Sequence, residues 1–167
     1  MMFSKNRLFW IAALIGLVID RLTKFGIVYT MPLSIPPTTI PLIPGVFHLT
    51  YVVNTGAAFS LFTQGVDWLR WLSLAVSAGL LLMAWFGPKL NRWEQVGWGL
   101  VLSGALGNGI DRFVLRQVVD FLDFRLIKFP VFNMADVFIN AGIVCLLIAN
   151  FIKPSRPTSS ERDPLRK

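Results

Sequence analysis

The chain has 167 residues, of which 54% are hydrophobic and 15% charged, and its 16 basic and 9 acidic side chains leave a net charge of +7. A chain this basic would ordinarily suggest a nucleic-acid binder, but a mean hydropathy of +0.62 excludes that, because so much apolar surface must be covered by something other than the chain itself. One cysteine (Cys145) excludes an intramolecular disulfide and one histidine (His48) excludes a His/Cys zinc cage.

The expectation is an all-α membrane protein with a single domain over 1–152. Four segments, 8–28, 68–86, 95–113 and 135–152, are long and apolar enough to cross a hydrocarbon core about 30 Å thick at roughly 1.5 Å per residue. The first follows Lys5 and Arg7 as a secretory signal would. No small-x-small cleavage site comes after it, so a retained helix is expected. The loop 29–67 opens with Pro32, Pro36, Pro37, Pro41 and Pro44, which forbid a regular helix. Its stretch 46–53 has the β-branched and aromatic content of a strand, and 56–62 is apolar enough to lie on a membrane surface. In the third span Gly99, Ser103 and Gly107 recur every four residues, a stripe that lets another helix approach closely. The tail 153–167, with three prolines and mixed charge, reads as disordered.

Basic residues set the orientation. The N-terminus, the loop 87–94 and the tail hold nine (Lys5, Arg7, Lys89, Arg92, Lys153, Arg156, Arg162, Arg166 and Lys167), 29–67 holds none, and 114–134 holds three (Arg116, Arg125 and Lys128). The positive-inside bias then puts both termini in the cytoplasm and the loops 29–67 and 114–134 outside. All six tryptophans fall near proposed span ends, where an indole prefers to sit.

Ionisable groups in or beside a membrane span are costly and therefore candidates for function. Asp20 and Lys24, four apart, suit an ion pair, and Asp111 and Arg112 are expected to form another. Asn108 shares a helix face with that second pair. Asn133, Asp136 and Asn140 are expected on one face of the fourth span, where Asp136 has only amides for neighbours. Asp120 sits in the apolar setting Val118-Val119-Asp120-Phe121, while Asp123 is expected to be a solvated interfacial acid and His48 an interfacial strand residue. Asn54 follows the proposed strand. Two carboxyls brought together share one proton, so Asp120 and Asp136 could supply the base and the acid of an aspartic peptidase. Spacing along the chain does not decide whether they meet. A small proton-coupled transporter or channel also uses membrane carboxyls, although it calls for polar groups near mid-membrane and on both sides.

With these residues in view the chain resembles bacterial lipoprotein signal peptidase, also called signal peptidase II. Five blocks carry the likeness: Asp20-x-x-x-Lys24, Asn54-x-Gly56-x-Ala58-Phe59, Gly107-Asn108-x-x-Asp111-Arg112, Val118-Val119-Asp120-Phe121 and Phe132-Asn133-x-Ala135-Asp136. The resemblance covers 8–152. It implies four transmembrane helices with a small extracytoplasmic β element and an interfacial segment, in the bacterial cytoplasmic (inner) membrane. It also implies a membrane aspartic endopeptidase that cleaves prolipoproteins before a diacylglyceryl-modified cysteine, with Asp120 and Asp136 as the catalytic dyad. Asn54, Asn108, Arg112, Asn133, Asp20 and Lys24 would bind substrate or support the dyad. The partners implied are prolipoproteins and membrane lipids, with no nucleic acid and no metal or organic cofactor; Arg116, Arg125 and Lys128 are candidates for a lipid headgroup, and a monomer is expected. A non-catalytic assembly factor that only binds lipoprotein precursors is the third alternative. Two positions depart from the family: Ser103 stands where a glycine commonly opens its block, and Arg116 where a glycine usually precedes the Val-Val-Asp block.

Overall fold

The computed structural model describes residues 5–56, 65–127 and 129–152; Lys128, the tail 153–167 and nearly all of the surface segment expected at 56–62 lie outside them. Seven elements follow in order: α1 (Arg7–Thr30), β1 (Thr39–Ile43), β2 (Phe47–Asn54), α2 (Gly65–Phe86), α3 (Arg92–Val114), β3 (Val118–Phe124) and α4 (Met134–Ile152). The four expected spans coincide with the four helices. Of these, α2 and α4 are long and apolar enough to cross a membrane, with mean hydropathies of 1.6 and 2.0 over their apolar windows. α1 and α3 are longer, at 24 and 23 residues, but carry more polar side chains.

Helix α3 is the hub, and its small residues explain why. A Cβ at Gly99 would lie 2.5 Å from the Phe9 carbonyl oxygen, and one at Gly107 would lie 2.5 Å from Asp20 Oδ2. The Gly99–Ser103–Gly107 stripe is therefore the seat of α1. On another face a Cβ at Gly97 would sit 2.9 Å from the Gly142 carbonyl, so α4 packs there at equally short range. A capping box starts α3: the Asn91 side chain accepts from Glu94 N at 2.9 Å, and Glu94 Oε2 accepts from Asn91 N at 3.0 Å. The buried Asn6 ties the start of α1 to the α2–α3 loop. It donates to the Ala84 and Pro88 carbonyls at 3.4 and 3.3 Å and accepts from Leu90 N at 3.0 Å.

The strands form one antiparallel sheet in the order β1-β2-β3. β2 matches the expected strand. β1 and β3 were not anticipated: Pro41 disguises the first, and the second is short and interrupted by two acids. The sheet sits on the last turn of α1, where Ile27 and Met31 pack with Tyr51, Val119 and Phe121. Between α3 and β3, Arg116 occupies the left-handed region at φ 56°, which accounts for a glycine being usual there. The turn survives the substitution with a strained backbone.

Beside this sheet lies a buried four-charge cluster. Lys24 Nζ reaches Asp20 Oδ1 at 3.2 Å, as expected, and also Asp111 Oδ2 at 2.8 Å. Arg21 bridges the same two acids, at 2.6 Å to Asp20 Oδ2 and 2.7 Å to Asp111 Oδ1. The expected Asp111–Arg112 pair is not formed. Neighbours in sequence point to different sides of a helix, and Arg112 instead donates to Ser73 Oγ on α2 at 3.3 Å. The cluster also grips the backbone: Ala135 N donates to Asp20 Oδ1 at 3.0 Å, and Val119 N donates to Asp111 Oδ2 at 3.3 Å.

Two stability measurements check this account by thermal unfolding in detergent. Asp111→Asn leaves the buried Lys24 and the half-buried Arg21 facing one carboxylate, and the expected loss is about 2–3 kcal/mol. Arg116→Gly relieves the left-handed backbone at an exposed position, and the expected gain is about 0.5–1 kcal/mol. An unchanged midpoint for Asp111→Asn, or a lowered one for Arg116→Gly, would contradict the account.

Candidate active site

Asp120 is placed by β3 and Asp136 by the first turn of α4, and Asn133 joins them. As the residue before α4, Asn133 accepts from Asp136 N through Oδ1 at 3.2 Å, while its own N–H donates to Asp136 Oδ2 at 3.2 Å. This is a capping box with aspartate in the third position, which fixes the direction of the Asp136 carboxyl. The Asn133 carboxamide then has its Nδ2 to spend elsewhere. It donates to Asp120 Oδ1 at 2.6 Å and to Asn108 Oδ1 at 3.0 Å. Asn108 Nδ2 in turn donates to the remaining Asp136 oxygen, Oδ1, at 2.8 Å.

Asn54 joins from the end of β2. Gly56, at φ 88°, donates its N–H to Asn54 Oδ1 at 2.8 Å, and the amide held this way points Nδ2 at Asp120 Oδ2, 3.0 Å away. The Asn-x-Gly spacing thus has a physical cause: a tight turn that only glycine adopts freely aims the asparagine. Ala58 and Phe59 of the same block lie outside the described residues. Lys24 touches this site through Asn108 Oδ1, to which it donates at 2.9 Å, and Asp20 supports it by holding the Ala135 N–H beside Asp136. Arg112 stays on the α2 side.

Five of the eight expected site residues therefore form one hydrogen-bonded network, in which Asn133, Asn108 and Asp136 close a ring, Asp120 joins it through Asn133 and Asn54 joins through Asp120. Lys24 and Asp20 stand behind it, and Arg112 stands beside it. Neither carboxyl has an ion-pair partner among the described residues; each is surrounded by neutral donors. Burial pushes the Asp120 carboxyl up to about 6; hydrogen bonds from Asn54 and Asn133 oppose the rise, the nearby Asp136 adds to it and Lys24 lowers it. Both acids line a groove of about 700 Å³ with Asn54, Phe129, Phe132, Val137 and Val144. A water and a peptide link entering this groove would meet an acid and a base in one place. His48, buried on β2, has its Nδ1 against Thr39 Oγ1 at 3.2 Å and is remote from the ring.

Sequence reasoning missed Arg21, which donates to both acids of the four-charge cluster and to the Gly107 carbonyl at 3.0 Å. Its signal was a second cation inside an apolar span, obscured by attention to residues four apart. Asp123, expected to be solvated, is corrected: its side chain is 13% exposed, paired with Arg125 at 2.8 Å and bonded by Thr50 Oγ1 at 2.6 Å. The sheet folds over it, which the linear order of residues conceals. The fourth-span face is also corrected, because Asn133 precedes the helix, while Asn140 donates to the Asp136 carbonyl at 2.8 Å. Of the headgroup candidates, Arg116 is exposed and Arg125 is engaged by Asp123.

A model of the family described as "Signal peptidase (SPase) II" matches residues 12–152. Among curated proteins, a lipoprotein signal peptidase from a Cyanothece species is 61% identical, the match covering 96% of this chain and 98% of that protein. Another, from Microcystis aeruginosa, is 63% identical over 93% of this chain and 99% of its own length. Two solved structures, each described as a bacterial membrane enzyme, share the fold. One has a TM-score of 0.74 at 29% identity, covering 84% of this chain and 85% of that one; the other has 0.75 at 28% identity, covering 86% and 92%. Sequence and architecture agree over nearly the whole length, and the chain belongs to the signal peptidase II family, a family of proteases.

Proposed function

We propose that Asp120 and Asp136 are the catalytic dyad with which this chain removes signal peptides from prolipoproteins, cutting before the diacylglyceryl-modified cysteine. One observation carries the assignment: two acids from different elements, with no cation on either among the described residues, share the Asn133 side chain and backbone and open onto one groove. Such a pair holds one proton at rest. The ionised carboxyl takes a proton from water as the water oxygen attacks the carbonyl carbon, and the protonated carboxyl gives its proton to the carbonyl oxygen. Collapse reverses the roles. The newly protonated acid protonates the cysteine nitrogen, the C–N bond breaks, and the other carboxylate recovers its proton from the collapsing diol.

The supporting residues take separate parts. Asn54, Asn108 and Asn133 orient the dyad without neutralising it. Lys24 and Asp20 hold Asn108 and the start of α4, and Arg112 supplies positive charge beside the groove for a peptide carbonyl or a lipid headgroup. All four helices span the bacterial cytoplasmic membrane in one domain, with both termini inside, in keeping with the nine basic residues at that end. The dyad then lies near the outer face, where water enters and where a diacylated cysteine is held by its own acyl chains. Membrane lipids are the remaining partners, and the chain acts as a monomer.

Two experiments test this proposal. Asp120→Asn and Asp136→Asn, each purified with its fold intact, should each lose at least about hundredfold in cleavage of a diacylglyceryl prolipoprotein. Near-normal processing by either variant would remove it from the dyad. In the kcat/KM profile, activity should fall as pH rises past about 6, where Asp120 gives up its proton and the pair becomes doubly ionised. Asn54→Ala removes a hydrogen bond that favours the ionised form, so that limb should move to higher pH. A shift to lower pH would refute the account.

A further inference from the structure

Asn140 lies one turn beyond Asp136 on α4, roughly 6 Å deeper by the rise of an α-helix, and lines the same groove. Its side chain is exposed. Nδ2 donates to the Asp136 carbonyl at 2.8 Å, while Oδ1 accepts no hydrogen bond among the described residues. The groove wall around it is apolar, formed by Val137, Ala141 and Val144. A carboxamide oxygen left open on a helix apolar enough to cross a membrane is costly in hydrocarbon, so it points to a partner that arrives from outside the chain.

The substrate supplies such a partner. A peptide link inside a helix has its N–H and carbonyl engaged and its carbonyl carbon shielded, so the segment next to the scissile bond must unwind to be cut. Unwinding at membrane depth exposes backbone groups that water does not reach. The other polar groups lining the groove, Asn54, Asp120 and Asp136, are gathered at the level of the dyad. The distance of roughly 6 Å to Asn140 corresponds to about two residues of extended chain.

We propose that Asn140 is a substrate-positioning residue, its Oδ1 accepting the backbone N–H of the signal-peptide residue two or three places before the scissile bond and so holding that segment extended. The assignment rests on the peptidase reading above and deepens it. The recognised feature is main-chain, so it serves signal peptides of differing sequence.

The test uses purified full-length protein and a synthetic lipopeptide carrying the diacylglyceryl cysteine, with two analogues in which an ester replaces the peptide link that bears the N–H of residue −2 or of residue −3. For the wild-type protein one of the two esters should lower kcat/KM about five- to tenfold, the size expected for one lost hydrogen bond. Asn140→Leu, at an exposed position where an apolar side chain suits the helix, should lower cleavage of the parent lipopeptide by a similar factor, and the same ester should then cost nothing further. Additive losses, no ester effect in the wild type, or parent cleavage undiminished in Asn140→Leu would overturn the Asn140 assignment and leave the dyad untouched. A wild-type protein that fails to cleave the parent lipopeptide would overturn both.

Discussion

Two carboxylates, Asp20 and Asp111, each hold one backbone N–H, and everything near the groove depends on those two bonds. Asp20 accepts from Ala135 and Asp111 from Val119; the next residue in each case is one of the two acids of the ring. The first turn of a helix and the first residues of a strand both carry N–H groups without partners in their own element. Ala135 and Val119 are buried, so water does not supply those partners and the chain does. Arg21 and Lys24 each bridge both carboxylates, which leaves the cluster neutral and free to be buried. The paired cluster clamps α1, α3, β3 and α4 together.

Next to this charged joint the ring around Asp120 and Asp136 is built on a different principle. Among the described residues the donors to the two acids are carboxamides and one backbone N–H, and Lys24 reaches them through Asn108. A guanidinium bonded directly to either acid would hold it ionised. Neutral donors fix the position of both carboxyls and leave their proton affinity to burial, which lifts Asp120 to about 6. Adjacent sites in one small protein thus use the same residue types to opposite ends, one to fix charge in place and the other to keep a proton available.

The groove continues the contrast along α4. Among the described residues its lining is polar near Asp120 and Asp136, one turn further along α4 it holds the Asn140 carboxamide, and beyond that it is aliphatic. A lipidated peptide anchored in the bilayer presents a matching gradient, from water-reachable backbone to buried side chains.

The four helices, the strand at 46–53 and the family were legible in the amino-acid sequence, because each depends on local composition: apolar runs of spanning length, β-branched clusters, and short blocks such as Asn133-x-Ala135-Asp136. The Gly99–Ser103–Gly107 stripe likewise predicted a close helix contact, though not which helix would make it. Pairings across elements were not legible. Asp111 and Arg112 are adjacent in the chain, yet Asp111 bonds Arg21 and Lys24 of α1, because a helix turns about 100° per residue and sends neighbours to different partners. β3 escaped notice because a strand of seven residues owes its order to β2 beside it rather than to its own sequence. That Asp120 and Asp136 face one groove was decided only by tertiary structure. Their convergence is enforced by Asn133, Asp20 and Asp111 acting across 13, 115 and 8 residues of chain, and hydrogen bonds of that reach leave no periodic trace in a sequence.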